Sequence, residues 1–211
     1  LDIGRSGRSS SDNPNIQNIP VRDKELAPRI RRLLSPSHPK GELLELDYMA
    51  FELRVSAMYT GDEVFLDVFR RGGNPHREFA AAVLGIPESQ VGEKPYAAFK
   101  GSNFQLIFGG TWKGLQMTLR EIYGIILSDT AARQIVDGFA RLHPWTMAYI
   151  DARKQDVLER GFVESLTGRR RAIQKPAEGA TGYERNHPFN IAANTPIQGT
   201  AFDIMLGATL E

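Results

Sequence analysis

The segment Leu43–Arg54 constrains the fold of this chain more than any other. A short apolar run, Leu43–Leu46, brings Asp47 to a point where strand-like sequence gives way to helix-like sequence. Apolar positions then recur at helical spacing until Gly61, which suits the end of a helix. The pattern predicts a strand, an acid at the strand end, and a helix. Taken alone, such an aspartate is an ordinary N-cap of the helix that follows.

A second segment, Lys100–Gly109, supplies a cation and aromatic rings at helical spacing. Tyr96, Lys100, Phe104 and Phe108 follow one another at i, i+4 and therefore form one stripe. Such stripes are usually core packing, but an unpaired lysine is expensive to bury. An ammonium for a triphosphate and a ring for a base account for these residues together. With a metal-binding acid such as Asp47, the pattern indicates a nucleotidyl-transfer site.

Composition limits the class of protein. The 211 residues are 41% hydrophobic and 24% charged, which is typical of a globular protein with one large domain or two small ones. No apolar run approaches a membrane span, and the absence of cysteine excludes disulfides and thiolate metal sites. Residues 1–40 carry a net charge of +4 against −3 for the remainder. That basic stretch suits either contact with a phosphate backbone or a solvated arm.

The rest of the chain is rich in helical patterns. Helices are predicted at about 63–71, 75–84, 95–108, 113–123, 129–141 and 144–160. Residues 161–173 alternate around Thr167-Gly168, which predicts a hairpin. A loop is expected at 179–186 and a last helix from about Pro196. A helix-rich insertion between 1–60 and 161–211 would then leave those two segments to share a sheet-containing core. The missing initial Met and the helical pattern at the end suggest a piece of a longer protein.

Four separated segments resemble family A DNA polymerases, the DNA polymerase I-like group, in that family's order. They are Gly7-Arg8 through Asn15-Ile-Gln17-Asn-Ile-Pro20, Asp47-Tyr48 through Glu52-Leu-Arg54, Lys100 through Gly109, and Asn194-Thr-Pro-Ile-Gln198-Gly-Thr. The resemblance implies an α+β fold in which helix-rich fingers are inserted into a partial antiparallel-sheet palm of a right-hand polymerase. Residues 1–60 would be palm, 61–160 fingers with the nucleotide-binding helix 95–108, and 161–211 a hairpin and the return to the palm.

The resemblance also implies roles for individual residues. Asp47 would be one of two aspartates that hold two Mg²⁺ ions, with the Tyr48 carbonyl as a further ligand. Glu52 would be the steric gate against a ribose 2′-hydroxyl. His76 and Lys100 would bind the triphosphate, and Phe104 would stack on the incoming nucleotide, with Phe108 completing the dNTP-binding set. Primer–template DNA would be contacted by Arg8, Asn15, Gln17, Asn194 and Gln198.

Each of these residues also has a plainer interpretation. Glu52 could be an ordinary acid in the first turn of a helix. His76, directly after Pro75, could be a surface histidine. The five predicted DNA contacts could be hydrogen-bonding groups of loops and helix ends.

The sequence departs from the family pattern at several positions. Tyr96 replaces an arginine four residues before the lysine, so one triphosphate contact is lost or supplied by another residue such as Lys94. Gln105 replaces a glycine, Asn190 an arginine, and Phe108 a tyrosine whose hydroxyl could bond the gate. These departures resemble a divergent phage or environmental polymerase, and the lost hydroxyl predicts a more loosely held Glu52.

The family's second catalytic aspartate lies in a His-Asp-Glu motif that this sequence does not contain. We therefore expect the chain to be truncated before that residue and to be inactive alone. We expect the full enzyme to act as a monomer on primer–template DNA and dNTPs, in a bacterial or phage-infected cytoplasm. A single-subunit RNA polymerase shares the architecture, but the Glu-Leu-Arg around Glu52 argues against it. The alternative from another class is a non-catalytic nucleic-acid-binding remnant of a polymerase.

Overall fold

The structure is a computed structural model that describes residues 2–4, 7–13, 15, 17, 25–38, 40–43 and 47–210. The predicted strand Leu43–Leu46 falls largely outside these residues, and Leu43 itself is not in a strand. The order of elements can still be followed along most of the chain.

Helices dominate the described residues. The elements in chain order are β1 (Asp2–Ile3), β2 (Ser9–Ser10), α1 (Leu26–Arg31), α2 (Phe51–Thr60), α3 (Glu63–Arg70), α4 (Pro75–Leu84), α5 (Glu93–Leu106), α6 (Trp112–Tyr123), α7 (Asp129–Leu142), α8 (Pro144–Glu159), β3 (Phe162–Glu164), β4 (Arg170–Ala172) and α9 (Gly182–Leu210). A short 3₁₀ turn at Glu88–Gln90 precedes α5. Within the described part of the chain, every helix is too short or too polar to cross a bilayer.

Local sequence sets most of the helix boundaries. Side-chain oxygens accept hydrogen bonds from first-turn amides at the starts of four helices, at Asp62, Asn74, Thr111 and Ser128. Three helices end at a glycine in the left-handed region, namely Gly61, Gly85 and Gly124. These signals are readable in the sequence, which is why the helices predicted between 63 and 160 are confirmed to within a few residues.

Two apolar clusters hold α2 to its neighbouring helices. The first joins α2–α7 and is built on buried residues that include Leu53, Phe65, Phe79, Phe99, Ile107, Leu115, Leu119 and Phe139. The second joins α2, α8 and α9 through Val55, Tyr149, Ile150, Ala193, Ile197 and Ala201. Phe108 and Met147 pack against both clusters. Helix α2 therefore lies between the bundle and α9.

The strands form two separate hairpins. β3 pairs antiparallel with β4, with Val163 opposite Arg171, which confirms the hairpin predicted around Thr167-Gly168. β1 pairs with β2 over two residues. Among the described residues, no strand of 1–60 pairs with β3 or β4. The two segments meet mainly where α2 packs on α9, and the Tyr59 hydroxyl also donates to the Glu164 carbonyl oxygen of β3 at 3.2 Å.

The prediction for the last helix was wrong. Helix α9 begins at Gly182, fourteen residues before Pro196, and continues through both Pro188 and Pro196. The early part packs Phe189, Ile191 and Ala192 against Val157, Val163 and Ile173. This burial stabilises helix where Gly, Asn and Pro disfavour it locally. The short helix α1 was not predicted.

Candidate active site

A large open cavity lies where the N-terminal loop, the starts of α2 and α4, and helices α5 and α9 meet. Its volume is about 1550 Å³. Nine of the twelve residues predicted as functional line it: Arg8, Gln17, Asp47, Tyr48, Glu52, His76, Lys100, Phe104 and Gln198. These residues are up to 190 positions apart in sequence. Their convergence on one cavity makes it the candidate site.

The turn before α2 presents Asp47 and Tyr48 to this cavity. Both residues are exposed, and the Tyr48 ring stacks on Phe51 with centroids 4.6 Å apart. Ala50 has a left-handed backbone (φ 52°), which is uncommon for a residue other than glycine. Arg54 steadies the turn, because its Nε donates to the Met49 carbonyl oxygen at 3.0 Å. The Asp47 side chain is therefore not an N-cap of α2, since Ala50 occupies that position.

The donor set at this turn suits Mg²⁺. Mg²⁺ prefers oxygen ligands and is often bound by one or two carboxylates together with substrate phosphates rather than by a closed protein cage. Asp47 offers a solvent-accessible carboxylate and Tyr48 a backbone carbonyl beside it. In the described residues, no three His, Cys, Asp or Glu side chains cluster as a preformed metal cage. The arrangement fits an ion that arrives with a phosphate ligand.

Helix α5 turns its polar, aromatic stripe towards the cavity. Lys100 is exposed, while Tyr96 and Phe104 are half-buried beside it on the cavity wall. The opposite face of α5 buries Ala98, Phe99 and Leu106 in the first cluster. Lys94, suggested from the sequence as a replacement cation, does not line the cavity. In place of the missing arginine, the Tyr96 ring packs under the Arg77 guanidinium at 4.8 Å.

His76 is buried rather than on the surface. Asn74 caps α4 by accepting from the amide of His76 at 3.0 Å, and this fixes the first turn at the cavity edge. Only 5% of His76 is exposed, and its ring lies 5.6 Å from that of Phe104. Burial and the positive charge of Lys100 lower the pKa of His76 to about 4. The imidazole is therefore neutral at neutral pH.

Glu52 has a partner that the sequence did not indicate. Arg8 Nη1 lies 3.3 Å from Glu52 Oε1, across 44 residues of chain. The sequence predicted a loosely held Glu52 because the tyrosine hydroxyl is absent at Phe108, but the Arg8 guanidinium contacts this carboxylate instead. The Arg8 side chain is 57% exposed, so the ion pair contributes little to stability. An incoming ligand can displace it at small cost.

Three predicted residues do not line the cavity. Asn15 is exposed and accepts a hydrogen bond from the Ser11 hydroxyl at 3.2 Å. Asn194 lies on α9 with a buried Oδ1 that has no partner among the described residues. Phe108 packs between the two apolar clusters.

Two groups of polar residues were missed from the sequence. Asp62, His143 and Thr146 form a fully enclosed network inside the bundle, where the His143 ring stacks on Phe65 and Thr146 Oγ1 donates to Asp62 at 2.7 Å. Asn103 is fully buried and its amide contacts His76 Nδ1 at 2.9 Å. Asp62 could have been recognised as the cap after Gly61. The other contacts join distant positions and leave no local signal.

Known proteins resemble this chain along nearly its whole length. Residues 2–211 match the model of DNA polymerase family A. DNA polymerase I of Pseudomonas aeruginosa is 36% identical over 204 residues, which are 96% of this chain and 21% of that protein. The thermostable DNA polymerase I of Thermus aquaticus is 36% identical over 201 residues, 95% of this chain and 23% of that protein. The chain thus spans about a fifth of the length of these relatives.

A solved structure supports the same assignment. The polymerase domain of Pol1 from M. smegmatis, in a complex with DNA primer-template and dNTP, matches with a TM-score of 0.83 and 26% identity. The match covers 96% of this chain and 34% of that one. It confirms the predicted fold class, a helix-rich α+β arrangement of the right-hand polymerase type. On sequence and structure together, the chain belongs to DNA polymerase family A.

Proposed function

We propose that this chain provides the nucleotide-binding part of a template-directed DNA polymerase, which transfers a deoxynucleotide from a dNTP to a primer 3′-hydroxyl. The observation that carries the proposal is the convergence of Asp47, Glu52, His76, Lys100 and Phe104 on one cavity. The related polymerase domain that matches this fold was solved with primer-template and dNTP. Those ligands are the partners proposed here, acting in a bacterial or phage-infected cytoplasm with the full enzyme as a monomer.

The cavity separates the two ends of a nucleotide. Lys100 and His76 are the residues we assign to the triphosphate, because both line the cavity and the exposed Lys100 ammonium supplies positive charge there. Phe104, one helical turn further along α5, offers a ring face for the sugar and base. Glu52, at the start of α2, is the carboxylate we assign to exclusion of a 2′-hydroxyl. Arg8, Gln17 and Gln198 line the side left for primer and template.

Asp47 and the Tyr48 carbonyl are the residues we assign to Mg²⁺. When bound, Mg²⁺ ions neutralise phosphate charge and lower the pKa of an attacking hydroxyl. A pair of ions needs more carboxylates than Asp47, and Glu52 is engaged by Arg8. The sequence-based assignment of a second aspartate outside this chain stays a prediction, as do the palm and fingers boundaries. This chain's own contribution is to bind and orient the nucleotide.

The experiment is a binding titration of dATP into the chain with and without Mg²⁺. Lys100→Ala should weaken binding about tenfold or more, because a hydrogen bond to a charged group contributes about 1.5–3 kcal/mol. Lys94→Ala is the matched control, since Lys94 lies on the same helix, is exposed and does not line the cavity. Equal losses for the two variants would contradict the site. DNA binding without Mg²⁺-dependent dATP binding would favour the non-catalytic remnant instead.

A further inference from the structure

The environment of His76 differs at its two ring nitrogens. The ring lines the cavity at one edge, but its Nδ1 lies 2.9 Å from Nδ2 of Asn103 in the interior. Asn103 is on α5, one residue before Phe104, and none of its surface is exposed. Because this contact occupies Nδ1, Nε2 is the ring nitrogen left for a ligand in the cavity. What His76 offers to a ligand therefore depends on which nitrogen carries the proton.

The neighbouring backbone favours one orientation of the Asn103 amide, in which Nδ2 has two partners and the buried Oδ1 has none among the described residues. Its Nδ2 also lies 3.3 Å from the carbonyl oxygen of Pro75. Rotating the amide by half a turn would place Oδ1 against that carbonyl oxygen, so that two acceptors would be in contact in a buried site. The observed orientation instead directs one N–H to the Pro75 carbonyl and the other to His76 Nδ1.

An N–H donor at Nδ1 requires a lone pair there. In a neutral imidazole one nitrogen is a donor and the other an acceptor, so the proton must be on Nε2. The reverse tautomer would set an N–H of His76 against an N–H of Asn103 in a buried site and would present a lone pair to the cavity. That lone pair would repel a phosphate oxygen. Asn103 thus decides whether His76 attracts or repels an anion.

We propose that Asn103 is a positioning residue that holds His76 in its Nε2–H tautomer, so that the neutral ring donates to a triphosphate oxygen beside the Lys100 ammonium. The choice of ligand rests on the proposed function. The low pKa of His76 agrees with this arrangement, because the ring acts as a donor without becoming a second cation near Lys100. A neutral N–H donor in a fixed position would orient the phosphate oxygens, while Lys100 supplies the positive charge of the site.

The tautomer can be observed directly in the unmodified chain. Long-range ¹⁵N–¹H correlation spectra of ¹⁵N-histidine-labelled protein at pH 7 distinguish a protonated Nε2 from a protonated Nδ1, and His76→Gln identifies the His76 signals. We expect Nε2–H for His76 before any ligand is added. An Nδ1–H tautomer would overturn the proposal without need of a variant. Asn103→Asp, which accepts from Nδ1–H, should move the proton onto Nδ1.

Binding of sodium tripolyphosphate tests the consequence. Asn103→Leu should weaken binding about threefold to tenfold in the wild-type background, because the population of Nε2–H falls. In a His76→Gln background the same change should have no further effect, since the glutamine amide does not depend on a tautomer. Ser102→Ala is the control, because Ser102 is equally buried on α5 but donates to Ala98.

The results of these experiments test the role of Asn103 separately from the proposed nucleotide binding. Equal losses from Asn103→Leu in both backgrounds would show a purely structural role and overturn the inference. Coupled losses together with the Nε2–H signal would support it. Failure of the unmodified chain to bind either tripolyphosphate or dATP would overturn the proposed function and the ligand named here, whatever the tautomer.

Discussion

Replacement of Asp62 by alanine should be the most damaging single change to the helical bundle. Asp62 has no exposed surface, and its Oδ1 caps α3 by accepting from the Phe65 amide at 3.2 Å. Its oxygens also accept from His143 Nδ1 at 3.1 Å and from Thr146 Oγ1 at 2.7 Å. A lost N-cap costs about 1 kcal/mol, and each buried donor left without a partner about 1–3 kcal/mol. We expect a loss of about 4 kcal/mol in the free energy of unfolding.

Ser128→Ala provides the matched comparison. Ser128 caps α7 through a bond from the Ala131 amide at 3.2 Å, the same local contact, but at an exposed position without a network. Its loss should cost about 1 kcal/mol. Urea unfolding of both variants at pH 7, followed by circular dichroism, measures the difference. If Asp62→Ala costs no more than Ser128→Ala, the enclosed network contributes nothing and the reasoning fails.

The pH dependence of the same pair gives an independent check. Burial alone would raise the pKa of Asp62, but the hydrogen bond and charge of His143, with the bonds from Thr146 and the Phe65 amide, lower it below its ordinary 3.8. A carboxyl whose pKa is lower in the folded state stabilises the protein above the unfolded pKa. The stabilisation is lost as pH falls through the folded value. The gap between wild type and Asp62→Ala should shrink as pH falls below 3.8.

Three further substitutions can be tested, two at glycines and one at Phe108. Gly101→Ala should lower the free energy of unfolding by about 1–3 kcal/mol, because a Cβ there would lie 2.7 Å from the Tyr123 ring. Gly207→Ala has open space around it and should stabilise α9 by up to about 1 kcal/mol. Thermal melts of the two variants measure the difference. Phe108→Tyr should sharpen the preference for dATP over ATP several-fold if its hydroxyl reaches Glu52. Unchanged nucleotide preference in competition titrations would refute that expectation.

Most of the fold was predictable because its signals are local. Apolar spacing predicted the helices between 63 and 160, and caps such as Asn74 and Ser128 and terminating glycines such as Gly124 are the local signals that the structure shows at their ends. The failure was at α9, where Pro188 and Pro196 disfavour helix locally but Phe189 and its neighbours are buried on α8 and β3. Burial against elements that are distant in sequence leaves no signal in the local sequence. The start of α9 is therefore set by tertiary packing.

The site was predictable as a set of residues but not as a set of contacts. The resemblance to a known family chose residues that the structure brings to one cavity, yet it could not show that Arg8 contacts Glu52 or that Asn103 contacts His76. Both contacts join positions more than twenty residues apart. Arg8 determines whether the Glu52 carboxylate is paired or free. Asn103, as proposed above, determines whether His76 presents an N–H donor or a lone pair to the cavity.

Packing around helix α5 accommodates two of the residues that depart from the predicted family pattern. Gln105 occupies the position of a usual glycine, and its side chain fits because Gly110 and Gly114 lie against it; a Cβ at Gly110 would lie 2.4 Å from Gln105 Cγ. Tyr96, in place of an arginine, packs under Arg77, whose Nη1 donates to the Val91 carbonyl at 2.7 Å. These substitutions are therefore absorbed around α5 while Lys100 still faces the cavity. Loss of the arginine leaves Lys100 as the exposed cation that α5 contributes to the described cavity wall, which is why its removal is the sharpest test of nucleotide binding.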